Sequence, residues 1–236
     1  MKNLPKEILD DTAAIILEPI AANMGLIPPQ EGYLEALREF TRERNILLIF
    51  DEVISGLRVC YGGVQTQWKI HPDLTCLGKI VGGGMPLAAY GGRKQIMEKI
   101  APLGPVYQAG TLSGNPVAAS AGLAAMNMLR ETNPYDELRA RTEEFLSPIR
   151  KTIKERKISM SVVSYGSMFT FFFHGKPPLN YKQAKECDTK QYGEFFWRLL
   201  DRGIYMAPSQ FETNFVNVPH TKSDLEITRD AILLNL

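Results

Sequence analysis

The sequence predicts an α/β protein, a mostly parallel sheet flanked by helices, followed by a smaller α+β domain. Across the first 133 residues, short apolar runs that end on polar residues alternate with amphipathic helical stretches, the pattern of parallel βαβ units. Beyond a long charged segment the texture turns β-branched and aromatic. The 236 residues suffice for one large domain or two ordinary ones. With 44% hydrophobic and 22% charged residues, a sizeable core is expected rather than disorder.

Each element has its own reason. AAIIL (Ala13 to Leu17) ends at Glu18-Pro19 and ILLIF (Ile46 to Phe50) ends at Asp51-Glu52, and both read as strands buried on two faces. Between them, Glu31 to Arg44 places Tyr33, Leu34, Leu37 and Phe40 on one helical stripe. DLTCLGK (Asp73 to Lys79) leads into the Gly82-Gly83-Gly84 turn, and LAAYGG (Leu87 to Gly92) reads as a further strand. A helix from Asn115-Pro116 to Arg130 has Pro116 in its first turn, and its many Ala and Gly residues predict close packing. Tyr135 to Lys157 is a long amphipathic segment whose charges form a solvated face and which is suited to link two domains. The boundary falls between Arg130 and Ser159, dividing the chain into 1–133 and 134–236, the second part including the linking helix.

The second part begins with SVVSYGSMFTFFF (Ser161 to Phe173), a β segment followed by the loop KPPLN (Lys176 to Asn180). QYGEFFWRLLDRG (Gln191 to Gly203) is a helix stopped by glycine, and the final SDLEITRDAILLNL is a helix with Ser223 as its N-cap. There is no internal repeat and no low-complexity segment.

Composition excludes several classes of function. Twenty-seven Lys+Arg against 26 Asp+Glu leave a net charge of +1, too little excess to make nucleic acid or an anionic membrane the main partner. Apolar stretches such as Ile46 to Phe50 and Phe171 to Phe173 fall far short of the ~20 residues of a spanning helix. Pro5, Glu7, Asp10 and Asp11 break the N-terminal stretch, which does not read as a signal peptide. Cys60, Cys76 and Cys187 are odd in number and far apart, as expected of reduced thiols in a cytoplasmic protein.

Familiar motifs fail on inspection. A phosphate loop needs glycine five residues before Gly78-Lys79, but Asp73 stands there, and Ile80 replaces the metal-binding Ser/Thr. Neither G-x-G-x-x-G nor G-x-S-x-G occurs. His71, His174 and His220 are isolated from one another and read as ordinary surface or core histidines.

One constellation survives. Ligands of open parallel sheets sit beyond the carboxyl ends of the strands, and Glu18, Asp51 and Lys79 occupy those ends. A lysine able to form a Schiff base and an aspartate able to keep a ring nitrogen protonated are what pyridoxal phosphate requires. Taken alone, Lys79 is more often a surface or ion-paired lysine, and Asp51 a turn or capping residue.

The strings FDEVISG, LGKIVGGGMPLAAYGG and GPVYQAGTLSGNP, sharpened by EPIAANMG (Glu18 to Gly25) and APSQFE (Ala207 to Glu212), settle that choice by resemblance. Almost from end to end, the chain resembles the class III, fold-type I pyridoxal-phosphate aminotransferases, and within them their aminomutases. The resemblance implies part of a fold-type I large domain followed by the smaller C-terminal domain. It makes Lys79 the Schiff-base lysine and proton shuttle, pairs Asp51 with the pyridine nitrogen and lays Val53 on the ring face. Asn23 matches the residue that hydrogen-bonds the ring hydroxyl. Gly110 and Thr111, with Tyr107 close by, match a segment that binds the phosphate of the neighbouring subunit's cofactor, which implies a homodimer with shared active sites.

Two positions separate reactions within the class. Amino-acid ω-aminotransferases typically carry Glu or Gln where Asn23 stands, and hold a substrate carboxylate with an arginine where this chain offers Glu212, a residue that also reads as a solvated turn acid. The implied reaction is internal amino exchange within a small substrate, with no outside donor. The family also carries a long portion ahead of the strand ending in Glu-Pro, where this chain has only Met1 to Thr12. A phosphate-binding turn, a ring-stacking aromatic residue, a substrate arginine and a gating loop belong to that portion. The expectation is therefore a C-terminal portion of a longer protein, impaired in activity by itself, with an open sheet edge and exposed apolar faces. The alternatives are an ω-aminotransferase with a separate amino donor and an inactive fragment or partner subunit.

Overall fold

A computed structural model describes residues 10–236; the part of the N-terminal reading that falls on residues 1–9 lies outside the described residues. Two compact units emerge. One comprises the described residues up to Pro19 with Pro29–Asn133, the other Ile20–Pro28 with Pro134–Leu236.

The first unit is built on a four-stranded sheet in the order β1 (Ala14–Leu17), β2 (Leu47–Asp51), β3 (Leu74–Leu77), β4 (Ala89–Gly92). β1, β2 and β3 run parallel, and β4 closes the far edge antiparallel to β3. Helix α1 (Tyr33–Glu43) returns the chain from β1 to β2 and covers one sheet face. Its buried stripe is Leu34, Leu37 and Thr41, whereas Tyr33 is exposed and Phe40 only half-buried. That shifts the expected stripe, because positions 34, 37 and 41 keep the i, i+3, i+7 spacing that faces the sheet.

Burial of β1 and β2 on both faces is not what the structure shows. Leu48 and Phe50 are fully buried, while Leu47 and Ile49, which point the other way, are half-buried, and Ile16 on the terminal strand β1 is 60% exposed. Helix cover on one face leaves the alternation expected of a half-covered sheet. Short helices α2 (Gly63–Gln67) and α3 (Lys94–Met97) follow β2 and β4, and a 3₁₀ turn, Lys79–Gly82, follows β3. α4 (Pro116–Thr132) opens with Pro116, its N-terminal amides capped by the Asn115 side chain, which accepts from Val117 N and Ala118 N.

Asp73 ties the unit together ahead of β3. Its Oδ2 accepts from Arg38 Nη1 at 2.6 Å and from Leu48 N at 2.8 Å, and its Oδ1 accepts from Arg93 Nη1 at 2.9 Å. One carboxylate thus joins α1, β2 and the start of α3. Burial opposes its ionisation, but the hydrogen bonds from Arg38, Leu48 and Arg93 outweigh that and hold its pKa below the ordinary carboxylate value.

The second unit is an antiparallel sheet, β5 (Ser161–Tyr165), β6 (Met168–Phe172) and β7 (Asn214–Phe215), with α5 (Tyr135–Glu155), α6 (Tyr181–Ala184), α7 (Thr189–Leu200) and α8 (Lys222–Leu234). α5 belongs wholly to this unit, burying Leu138, Phe145, Leu146, Ile149 and Ile153 and leaving its charges to solvent. Central β6 is buried at all five positions. Phe169 and Phe171 meet Phe145 and Phe195 edge to face at 5.5 and 5.8 Å, the separation such ring pairs prefer. Phe172 joins a second cluster with Ile27, Ala184 and Cys187.

The N-cap of α8 is Thr221, not Ser223. Thr221 accepts from Asp224 N, and the Asp224 carboxylate accepts in turn from Thr221 N at 2.7 Å. This reciprocal box requires the cap three residues before the acid, which places Ser223 inside the first turn.

Candidate active site

Because β1, β2 and β3 are parallel, their carboxyl ends share one edge, where Asp51 closes β2 opposite Cys76 of β3. The Asp51 carboxylate is half-buried, and its Oδ1 accepts from Val53 N at 3.0 Å. The thiol of Cys76 is pushed up by burial and further by the Asp51 charge beside it.

Two residues past β3, Lys79 opens the 3₁₀ turn with φ 49°, in the left-handed region. A side chain there costs roughly 1–2 kcal/mol, and residues held so collect where function requires them. The turn is held from behind by α4. A Cβ on Gly122 would lie 2.4 Å from the Val81 carbonyl oxygen, so only glycine allows the helix backbone to seat this closely. The expected close packing of the Ala/Gly-rich helix therefore falls directly behind Lys79. Val53 lies against the same segment, since a Cβ on Gly78 would sit 3.1 Å from its Cγ1. Asp51, Val53 and the segment carrying Lys79 are thus gathered at one sheet edge, with Lys79 itself exposed.

Glu52 was missed by sequence reasoning. Fully buried, it turns its carboxylate away from solvent into the loop that follows β2. Oε2 accepts from Ser55 Oγ at 3.0 Å and Val64 N at 2.8 Å; Oε1 accepts from Gln65 N at 3.2 Å. The signal was present, an acid directly after an apolar strand with a Gly-Gly-Val-Gln stretch ten residues on, but no pattern says that such an acid points inward.

Tyr107, Gly110 and Thr111 share an exposed loop that turns into α4 through bonds from Ser113 N to Gly110 O and from Asn115 N to Leu112 O. Asn23 and Glu212 belong to the second unit, both exposed. Their loops are laced together: Gly25 N donates to Phe211 O at 2.6 Å and Thr213 Oγ to Ala22 O at 2.8 Å. Nearby Tyr192 is pushed up to about 12 by burial, with a lesser contribution from the Glu212 charge, and donates to Ala207 O at 2.6 Å. Among the described residues, no group of acidic, histidine and cysteine side chains is placed to hold a metal, and no helix is long and apolar enough to cross a membrane.

Comparison with known proteins shows the family. The model of the family described as Aminotransferase class-III matches residues 1–229. The chain belongs to that family. It is 47% identical over 228 residues to a protein of Desulfitobacterium hafniense named glutamate-1-semialdehyde 2,1-aminomutase, covering 97% of this chain and 53% of that protein. A protein of the same name from Syntrophus aciditrophicus is 49% identical over 222 residues, 94% of this chain and 51% of the other. Among solved structures, an omega-transaminase from Sphaerobacter thermophilus superposes with a TM-score of 0.86 at 33% identity, covering 98% of this chain and 53% of that one. A glutamate-1-semialdehyde-aminomutase from Pseudomonas aeruginosa in complex with PMP gives 0.86 at 24% identity, over 96% and 52% of the two chains, and shows the shared fold. The chain therefore spans about half the length of the family relatives it matches.

Proposed function

We propose that the chain is part of a pyridoxal 5'-phosphate-dependent glutamate-1-semialdehyde 2,1-aminomutase, which converts glutamate-1-semialdehyde to 5-aminolevulinate by internal amino exchange and so feeds tetrapyrrole synthesis. The observation that carries this reading is the gathering of Asp51, Val53 and the strained Lys79 at the carboxyl edge of one parallel sheet. These residues fit the cofactor, offering a carboxylate for a protonated ring nitrogen, an apolar side chain for a ring face and an amine for an aldehyde. When bound, the cofactor supplies a ring that withdraws electrons from the carbon beside the substrate nitrogen.

In this reading Lys79 attaches the cofactor and moves the proton between the two carbons flanking the exchanging nitrogen. Asp51 keeps the ring nitrogen protonated, Val53 packs on the ring and Asn23 takes the ring hydroxyl. Glu212 repels a second substrate carboxylate, which disfavours amino-acid donors. Gly110 and Thr111 serve the phosphate of a partner's cofactor, with Tyr107 close by at the substrate site, so the working state is a homodimer. Their exposure on one loop supports this. A cytoplasmic setting is part of the same reading, supported by the free thiols of Cys60, Cys76 and Cys187.

The test is turnover with glutamate-1-semialdehyde as sole substrate. Many turnovers without an amino donor are expected of the whole protein that contains this chain, with Lys79→Ala removing both activity and the visible band of the lysine-bound cofactor, whereas the chain by itself is expected to be impaired. Turnover only when a donor is added would favour the alternative, an ω-aminotransferase, to which the structural likeness at 33% identity lends weight.

A further inference from the structure

We infer that Glu52 is the positioning residue of the cofactor edge, holding Asp51 and Val53 in place through a buried polar hub; this rests on the reading of Asp51 and Val53 given above. Glu52 and Ser55 are buried at the centre of the hub, with Gln65 and Thr75 half-buried at its rim. Besides the bonds from Ser55, Val64 and Gln65 N, the Gln65 side chain spans from Glu52 Oε1 at 3.5 Å to Thr75 Oγ at 3.2 Å, tying the loop to strand β3. The backbone of Glu52 is held as well: its N–H donates to Cys76 O at 2.9 Å and its carbonyl accepts from Gly56 N at 2.8 Å.

The surrounding sequence is shaped to this carboxylate. Gly63 has φ +71°, and a Cβ there would lie 2.4 Å from Glu52 Oε2. A Cβ on Gly56 would lie 2.5 Å from the Glu52 carbonyl oxygen. Two glycines, a serine and a glutamine therefore converge on one acid that itself faces away from solvent. The residues on either side of it, Asp51 and Val53, are the ones assigned to the ring, and they are joined to each other by the Val53 N–H bond to Asp51 Oδ1. A buried acceptor with four donors fixes its own backbone, and fixing that backbone fixes its two neighbours. Glu52→Gln keeps the shape but turns an amide N–H₂ toward the N–H groups of Val64 or Gln65, leaving buried donors opposed.

Two readouts test the role, on wild type, Glu52→Gln and Glu52→Ala. The first is amide exchange at Val53 and Gly56, expected to rise in both variants while the second unit is unchanged. The second is titration with pyridoxal 5'-phosphate followed through the visible band, where affinity should fall roughly tenfold or more and the pH midpoint of the band should move, because it reports how Asp51 meets the ring nitrogen. A purely structural role would lower the melting temperature and leave that midpoint where it was, so an unmoved midpoint overturns the inference whatever the affinity does. If wild type itself gives no band, this part of the protein does not bind the cofactor alone, the cofactor reading is then decided on the whole protein, and exchange at Val53 and Gly56 decides the positioning role: unchanged protection there overturns it.

Discussion

Replacing Asp73 by alanine is expected to destabilise the first unit by about 3–4 kcal/mol. The side chain is 4% exposed and accepts three hydrogen bonds. The bond from Leu48 N contributes about 1 kcal/mol, as a typical buried backbone bond does. The pair with Arg38, whose side chain is only 15% exposed, is charge-assisted and contributes about 2 kcal/mol. Arg93 is 56% exposed, so solvent screening limits its share to about 0.5 kcal/mol. Asp73→Asn keeps the shape and the Leu48 bond and should lose about 2 kcal/mol. Urea unfolding followed by a probe in the first unit measures both, since two compact units need not melt as one. A loss below 1 kcal/mol in Asp73→Ala, or a larger loss for Arg93→Ala than for Arg38→Ala, would refute this partition. The pH dependence has a definite sign. The folded pKa lies below the ordinary 3.8, so the stabilisation is complete above that value and disappears as pH falls from 3.8 through the lower folded value.

Other positions offer sharper contrasts. Lys79→Gly, which relieves a left-handed φ, should be about 0.5–1 kcal/mol more stable than Lys79→Ala by thermal melting, while both lose the cofactor band. Gly122→Val should drive α4 off the turn behind Lys79 and cost about 1–3 kcal/mol, with weakened cofactor binding; a variant that binds and melts normally would show that the close seating is dispensable. Thr221→Ala should cost about 1 kcal/mol, whereas Ser223→Ala should stay within about 0.5 kcal/mol, a difference that chemical denaturation resolves.

Much of the fold was legible because it is written in local patterns. Apolar runs ending in Asp51 and at Gly78-Lys79 marked parallel strands, and Asn115-Pro116 marked the start of α4. Local pattern misled where solvent cover decided the outcome. Its own run makes Ile16 read as core, yet it sits 60% exposed on a terminal strand, as the expected open edge and exposed apolar faces require, because burial depends on what covers a face and not on the strand's own residues. Ser223 and Thr221 are both good caps, and only the reciprocal partner Asp224 selects between them.

By itself, then, the sequence determined the order of the elements, the Asp51 and Lys79 positions at strand ends, and the family strings around them. Only the tertiary structure decided that Lys79 carries a left-handed backbone, that Gly122 seats α4 on the turn behind it, and that Glu52 is a buried hub. It also brought Ala22 and Thr213, 191 residues apart, within one hydrogen bond, placing the loops of Asn23 and Glu212 side by side. The reason is physical: side-chain periodicity is local and readable along the chain, whereas burial and hydrogen-bond partners are set by segments that meet only after folding.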